Sequence, residues 1–309
     1  MKTAFLFSGQ GAQHPGMGKD LYDNYAIVRA IFDSSTLDFD VKQLCFEGPK
    51  ETLDDTQYAH PAIFLHSMAC ATLLRSFGVE ADVCAGLSLG EYSALCYANA
   101  FSIEDGTKIV AQRGKIMANA LPSGISSMAA ILMLEEAKIL QACEEVKALG
   151  VCEIANYNCP GQIVITGHKA AVEAASKRCL ELGARRVIPL QVSGAFHSSL
   201  LLDAAKELRK VLAQYNIKQP SIPVYHNISG KPEKTDLNTI LSKQIAHSVY
   251  FTQTIEHMLE DGVDTFIEVG PGKAVSGFVK KCCKGHDVKI LHVEDEASLK
   301  ECQIGRAHV

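Results

Sequence analysis

A chain of 309 residues, 47% hydrophobic and 21% charged, can bury a substantial core and falls in the range of one large domain or two unequal ones. Its formal net charge of −5 argues against broad electrostatic binding to nucleic acid or to an anionic membrane. No stretch reads as a secretory leader or a membrane span: the apolar run after Lys2 stops at Ser8-Gly9, and residues 62–74 are interrupted by His66, Ser67 and Thr72. A cytoplasmic location is therefore expected.

In chain order, residues 3–7 read as a buried strand ending in a loop over 8–18. Residues 81–85 read as a strand feeding Gly86-Leu87-Ser88-Leu89-Gly90, with a helix from Glu91 to about Ala98. The middle changes character. Strands are expected at 127–134, 152–157, 162–167 and 185–191, and amphipathic helices at 135–149 and 169–182. That β-α-β-β-α-β order is the ferredoxin-like pattern, which places a small inserted α+β domain at 126–192. Residues 223–228 read as a further strand, and 263–269 as another, ended by Gly270-Pro271-Gly272 and followed by a helix over 273–281. Short β-rich runs alternating with helices on both sides of the insert give one α/β domain with a parallel sheet, discontinuous over 1–125 and 193–303. The last six residues, 304–309, back-translate into a stretch resembling a sequencing-library adapter and are expected to be a non-native tail.

The chemistry-bearing residues are few. Gly86-Leu87-Ser88-Leu89-Gly90 fits G-x-S-x-G between a strand and a helix, a sharp turn that exposes the Ser88 hydroxyl. The following helix N-terminus turns backbone N–H groups toward developing negative charge. A serine hydroxyl needs a base, and His197, in Gly194-Ala195-Phe196-His197-Ser198, follows a strand and opens a helical segment. A lone histidine is more often structural, and no acidic third member stands out. The glycines of Ser8-Gly9-Gln10-Gly11-Ala12-Gln13 lack the spacing of a dinucleotide or phosphate loop, but they permit close backbone approach to an oxyanion. The eleven cysteines are scattered without a C-x-x-C spacing and the eleven histidines without H-E-x-x-H, so free thiols and no metal site are expected.

Six blocks, at 8–13, 86–92, 112–117, 156–167, 194–199 and 268–272, occur in the same order as in the malonyl-CoA:acyl carrier protein transacylases of fatty acid synthesis, which the chain resembles to about Gln303. The resemblance implies a hydrolase-like α/β core with a ferredoxin-like insert. It implies Ser88 as nucleophile, His197 as base, and the backbone N–H groups of Gln10 and Leu89 as oxyanion hole. Arg113 would bind the malonyl carboxylate, Asn158 would help order the site, and Phe196 matches the malonyl-selective form. The family orients its histidine with a backbone carbonyl, here implied to be that of Tyr250. Malonyl-CoA and acyl carrier protein are the implied partners, with no resident cofactor. The chain departs from the family pattern at Leu87, often histidine; at Ser8, commonly proline; and at Tyr250, often Gln or Arg. Because carrier proteins are acidic, Lys280, Lys281 and Lys284, or Arg185 and Arg186, are docking candidates, although such clusters more often form solvated faces. Two other readings share the elbow. A serine esterase or thioesterase would leave the Gln10 loop and Arg113 without purpose, and a non-catalytic acyl-binding protein would need a dead site.

Overall fold

The computed structural model describes residues 2–192 and 194–307, with side chains to 304. Five strands form a wholly parallel sheet: β1 (Thr3–Phe7), β2 (Val83–Gly86), β7 (Val224–Tyr225), β9 (Thr265–Val269) and β10 (Lys289–Val293), in the order β10-β9-β1-β2-β7. Every residue of β1, β2 and β9 is buried, as parallel strands covered on both faces must be. The period-two alternation sorts their side chains between two cores. Phe5, Phe7, Cys84, Ile267 and Val269 face one layer, while Ala4, Leu6, Val83, Ala85 and Phe266 face the other. The first layer is filled largely by the Thr56–Ser76 helix, buried nearly all round, packed on the Ile103–Ala118 helix. The carboxyl ends of β1, β2 and β9 lie side by side, so the loops after them converge at one edge, where open α/β sheets place their ligands.

The second sheet has the order β6-β3-β5-β4-β8, from β3 (Ser126–Leu132), β4 (Cys152–Cys159), β5 (Gln162–His168), β6 (Arg186–Pro189) and β8 (Val249–Tyr250). β3, β4, β5 and β6 pair antiparallel, whereas β8 runs parallel to β4. The Glu136–Glu145 and Lys169–Glu181 helices cover one face through Ile139, Ala142, Val172 and Ala175. Register shifts in β4 between Ile154 and Asn156, and between Tyr157 and Cys159, bend the strand. Both Asn156 and Asn158 reach the cavity between the two sheets.

Several expectations are adjusted. The helix expected over 135–149 ends at Glu145, and Lys147–Leu149 is a separate 3-10 turn. The strand expected over 223–228 shrinks to Val224–Tyr225, and neither β8 nor β10 was foreseen. Residues 304–307 of the expected foreign tail continue the Glu296–Ala307 helix, while 308 and 309, like residue 193, where the second part of the core was expected to begin, lie outside the described residues. Among the described residues no helix is long and apolar enough to cross a membrane, and no group of three or more His, Cys, Asp or Glu could hold a metal ion. The cysteines are free thiols, buried except for the half-buried Cys152 and Cys282.

Candidate active site

Ser88 sits in the turn between β2 and the Gly90–Tyr97 helix with φ of 52°, a left-handed conformation that costs a non-glycine residue energy and persists only where its surroundings impose it. The flanking glycines make the turn possible. A Cβ on Gly86 would lie 1.9 Å from the Gly90 carbonyl carbon, and one on Gly90 would lie 2.2 Å from the Phe7 carbonyl oxygen. The backbone of Ser88 is held at both ends. Its N–H donates to Asn227 Oδ1 at 2.7 Å, and its carbonyl accepts from Gln244 Nε2 at 2.9 Å.

The structure brings His197 to Ser88, with Nε2 2.8 Å from Oγ. His197 also has a positive φ, 59°, and its N–H donates to the Ile245 carbonyl. Its Nδ1 lies 2.9 Å from the backbone carbonyl of Gln244. A carbonyl can only accept, so Nδ1 carries the proton and Nε2 presents its lone pair to the serine hydroxyl. This corrects the expectation for Tyr250. The histidine is oriented by a backbone carbonyl, but it is that of Gln244. The Tyr250 carbonyl accepts instead from Thr254 Oγ1 at the start of the Phe251–Glu260 helix, and the Tyr250 ring stacks on Tyr157 at 5.1 Å.

Arg113 is fully buried on the Ile103–Ala118 helix. One terminal nitrogen, Nη2, donates to Ser88 Oγ at 3.1 Å and to Gln244 Oε1 at 3.0 Å. The guanidinium carbon lies 5.1 Å from the centre of the Tyr92 ring, close enough for cation–π attraction. No carboxylate among the described residues forms an ion pair with it, and its Nε has no partner. A buried guanidinium without a counter-ion is costly unless something anionic is meant to meet it. Burial lowers the Arg113 pKa, an effect opposed chiefly by Tyr92.

His60 lies beside it, 3.3 Å and 3.4 Å from Nη1 by its two ring nitrogens, with Nε2 3.2 Å from Gln10 Oε1. It therefore ties the Gln10 loop to Arg113. Burial first and Arg113 second push the His60 pKa well below the ordinary histidine value. The same two causes, burial ahead of Arg113, lower His197 to about 4. Both rings are therefore neutral at physiological pH.

The backbone N–H groups of Gln10 and Leu89 have no hydrogen-bond acceptor among the described residues. Both residues flank Ser88, Gln10 in the loop after β1 and Leu89 at the N-terminus of the Gly90–Tyr97 helix. A cavity of about 280 Å³ opens over the serine, lined among others by Gln10, Ser88, Asn158, Phe196 and His197. Asn158 is buried with its Oδ1 unpartnered. Leu87 also borders the cavity and packs toward the second core layer.

Sequence reading missed Gln244, Asn227 and His60. An amide side chain at a helix end, as at Gln244, or in the turn after a strand, as at Asn227, carries no motif, so neither gave a signal. His60 had only a weak one, as a histidine in a largely apolar helix that also holds His66.

The acyl transferase domain family matches residues 4–297. The chain is 42% identical over 304 residues to malonyl CoA-acyl carrier protein transacylase of Bacillus subtilis, covering 97% of this chain and 95% of that protein. It is 40% identical to the Staphylococcus aureus protein of the same name, covering 97% of each. The crystal structure of malonyl CoA-acyl carrier protein transacylase from Clostridium perfringens superposes with a TM-score of 0.96 at 42% identity, over 100% of this chain and 98% of that one. A malonyl-transacylase solved in complex with its type II PKS acyl-carrier protein superposes with a TM-score of 0.95 at 34% identity, over 99% and 100%. With a G-x-S-x-G serine paired to a histidine and a full-length match of this closeness, the chain belongs to the acyl transferase domain family, among the malonyl CoA-acyl carrier protein transacylases.

Proposed function

We propose that the protein transfers a malonyl group from malonyl-CoA to the phosphopantetheine thiol of an acyl carrier protein through a malonyl-Ser88 intermediate, supplying extender units for fatty acid synthesis. His197 Nε2 takes the Ser88 proton as Oγ attacks the thioester carbonyl. The N–H groups of Gln10 and Leu89 receive the oxyanion, where preorganised donors act most strongly. When the tetrahedral species collapses, His197 gives its proton to the departing coenzyme A sulfur. In the second half, the carrier thiol gives its proton to His197 and attacks the ester. His197 then returns a proton to Ser88 Oγ. The buried Gln244 carbonyl holds the imidazole tautomer throughout, so no carboxylate is needed in the third position.

The observation that carries the reading is the buried Arg113, without a carboxylate partner and 3.1 Å from the nucleophile. Malonyl differs from acetyl by one carboxylate, which a guanidinium can hold through two parallel hydrogen bonds. Phe196, buried against Gly194, limits room beside the α-carbon, and Asn158 Oδ1 supplies an acceptor to a substrate or water. The reaction calls for no resident cofactor, and the protein is assigned to the cytoplasm.

The small sheet's order β6-β3-β5-β4 supports a ferredoxin-like insert over 126–192 within a hydrolase-like core over 1–125 and 193–303. β8 then adds a core-derived strand to the insert's edge. The helix Ala274–Cys282 contributes Ala274, Val275 and Phe278 to the cavity and carries Lys280 and Lys281 in its last turn, which favours this cluster over Arg185 and Arg186 for carrier docking. Incubation with malonyl-CoA and holo-acyl carrier protein should yield malonylated carrier. Release of free malonate without carrier loading would support the esterase reading instead.

A further inference from the structure

Beneath the dyad lies a buried carboxylate that acyl transfer, as described, does not use. Glu91, in the first turn of the Gly90–Tyr97 helix, is fully buried, and His226 beside it is 1% exposed. Both carboxylate oxygens are engaged. Glu91 Oε1 accepts from His226 Nδ1 at 2.8 Å, and Oε2 accepts from Gln244 Nε2 at 2.6 Å and from the Asn227 N–H at 3.1 Å.

These bonds fix which way the Gln244 amide points. Its nitrogen faces three acceptors, Glu91, the Ser88 carbonyl and Asn227 Oδ1, and its oxygen faces a donor, Arg113 Nη2. The flipped amide would set an oxygen against a carboxylate and an NH₂ against a guanidinium, repulsive on both sides in a fully buried setting. The same residue's carbonyl orients His197. Gln244 thus sits between the base, the nucleophile's backbone and the guanidinium, and Glu91 is the group that holds it there.

We propose that Glu91 is a positioning residue that, through the Gln244 amide, aims Arg113 and so sets the preference for a carboxylate-bearing acyl group. The proposal rests on the reading of Arg113 as the malonyl-binding group. Glu91 touches neither substrate nor reacting atoms; besides the Gln244 amide it reaches the site by its charge on Arg113 and through Asn227, which holds the Ser88 N–H, and only the Gln244 route is lost when the amide is removed. That makes it separable by a double-mutant cycle. Glu91→Met removes the carboxylate at similar length. Glu91→Gln keeps an oxygen for Gln244 and Asn227 and can turn its NH₂ toward His226 in the other tautomer. Gln244→Met removes the intermediary, and the double variant closes the cycle.

The measurement is kcat/KM for malonyl-CoA and acetyl-CoA on the full-length protein, per serine titrated with a fluorophosphonate. Glu91→Met should lower the malonyl value roughly ten- to hundredfold and the acetyl value less, narrowing the ratio. Glu91→Gln should stay within about threefold of the parent, and adding Glu91→Met to Gln244→Met should change the ratio by less than about twofold. Equal losses on both thioesters in Glu91→Met, or effects of the two single variants that simply multiply, would overturn the proposal. Arg113→Ala in the same assay separates the layers. An unchanged ratio there overturns the malonyl reading and this proposal with it, whereas a collapsed ratio there beside an intact one in Glu91→Met overturns the positioning role alone.

Discussion

Replacing Arg113 by alanine tests substrate choice at its source. In the free protein the guanidinium is shared among neutral partners: Ser88 Oγ, Gln244 Oε1 and the His60 ring. A malonyl carboxylate would be the first full negative charge to hydrogen-bond with it, the Glu91 charge acting only at longer range. Each charge-assisted hydrogen bond in such a setting contributes about 1.5–3 kcal/mol, and removing one member of a buried ion pair costs about 3–5 kcal/mol. Taking about 3–4 kcal/mol, with roughly 1.4 kcal/mol per tenfold, kcat/KM for malonyl-CoA should fall by about two to three orders of magnitude. Acetyl-CoA has no carboxylate to lose. The cost of burying an acyl chain beside an unpaired guanidinium also disappears, so its low rate should hold or rise. Arg113→Lys should recover only part of the preference, because an ammonium lacks the planar fork. Steady-state kinetics with both thioesters on each variant decides the matter. Equal losses on malonyl and acetyl substrates would mean that Arg113 is structural, and the selectivity argument would fail.

Other expectations follow from the same geometry. Ser88→Ala should fold and give no acyl adduct by intact mass, and His197→Ala should slow acylation by about two to four orders of magnitude. Because His197 is lowered to about 4, the acidic limb of kcat/KM against pH should lie near there and not near 6.5. The unfolded chain binds a proton at this residue that the folded one does not, so stability should decline as pH falls from about 6.5 to about 4 and level off below, as followed by denaturant melts. Leu87→His should change turnover only modestly, and a large gain would show that the departure matters more than its place at the cavity rim suggests. Phe196→Ala should raise the rate with a branched methylmalonyl thioester relative to malonyl-CoA by opening room beside the α-carbon. Gly86→Ala, whose Cβ would lie 1.9 Å from backbone, should abolish soluble folded protein, checked by circular dichroism.

Much of this arrangement was legible in the chain. The elbow announces itself because a G-x-S-x-G turn needs glycine where backbones nearly touch, and that need is written at Gly86 and Gly90. The antiparallel strands β3 to β6 were legible because they and their two helices keep clean periodicities over an uninterrupted stretch. Long, wholly buried helices such as Thr56–Ser76 show little period, and two-residue strands such as Val249–Tyr250 show none, so β8 went unread. The misplaced carbonyl has a similar cause. A backbone acceptor has no residue-type signature, and position alone pointed to Tyr250, where the chain instead turns into a helix. Arg113 was legible only through the resemblance, since nothing in Gln112-Arg113-Gly114 marks a guanidinium that will be buried beside a serine 25 positions earlier.

The central claim is that malonyl passes through Ser88. Purified protein mixed with malonyl-CoA alone, quenched, digested and sequenced by mass spectrometry should carry a malonyl ester on Ser88 and nowhere else, and holo-acyl carrier protein added before the quench should discharge it into malonyl carrier. An adduct on another residue, or malonyl carrier formed at full rate by Ser88→Ala, would contradict the account.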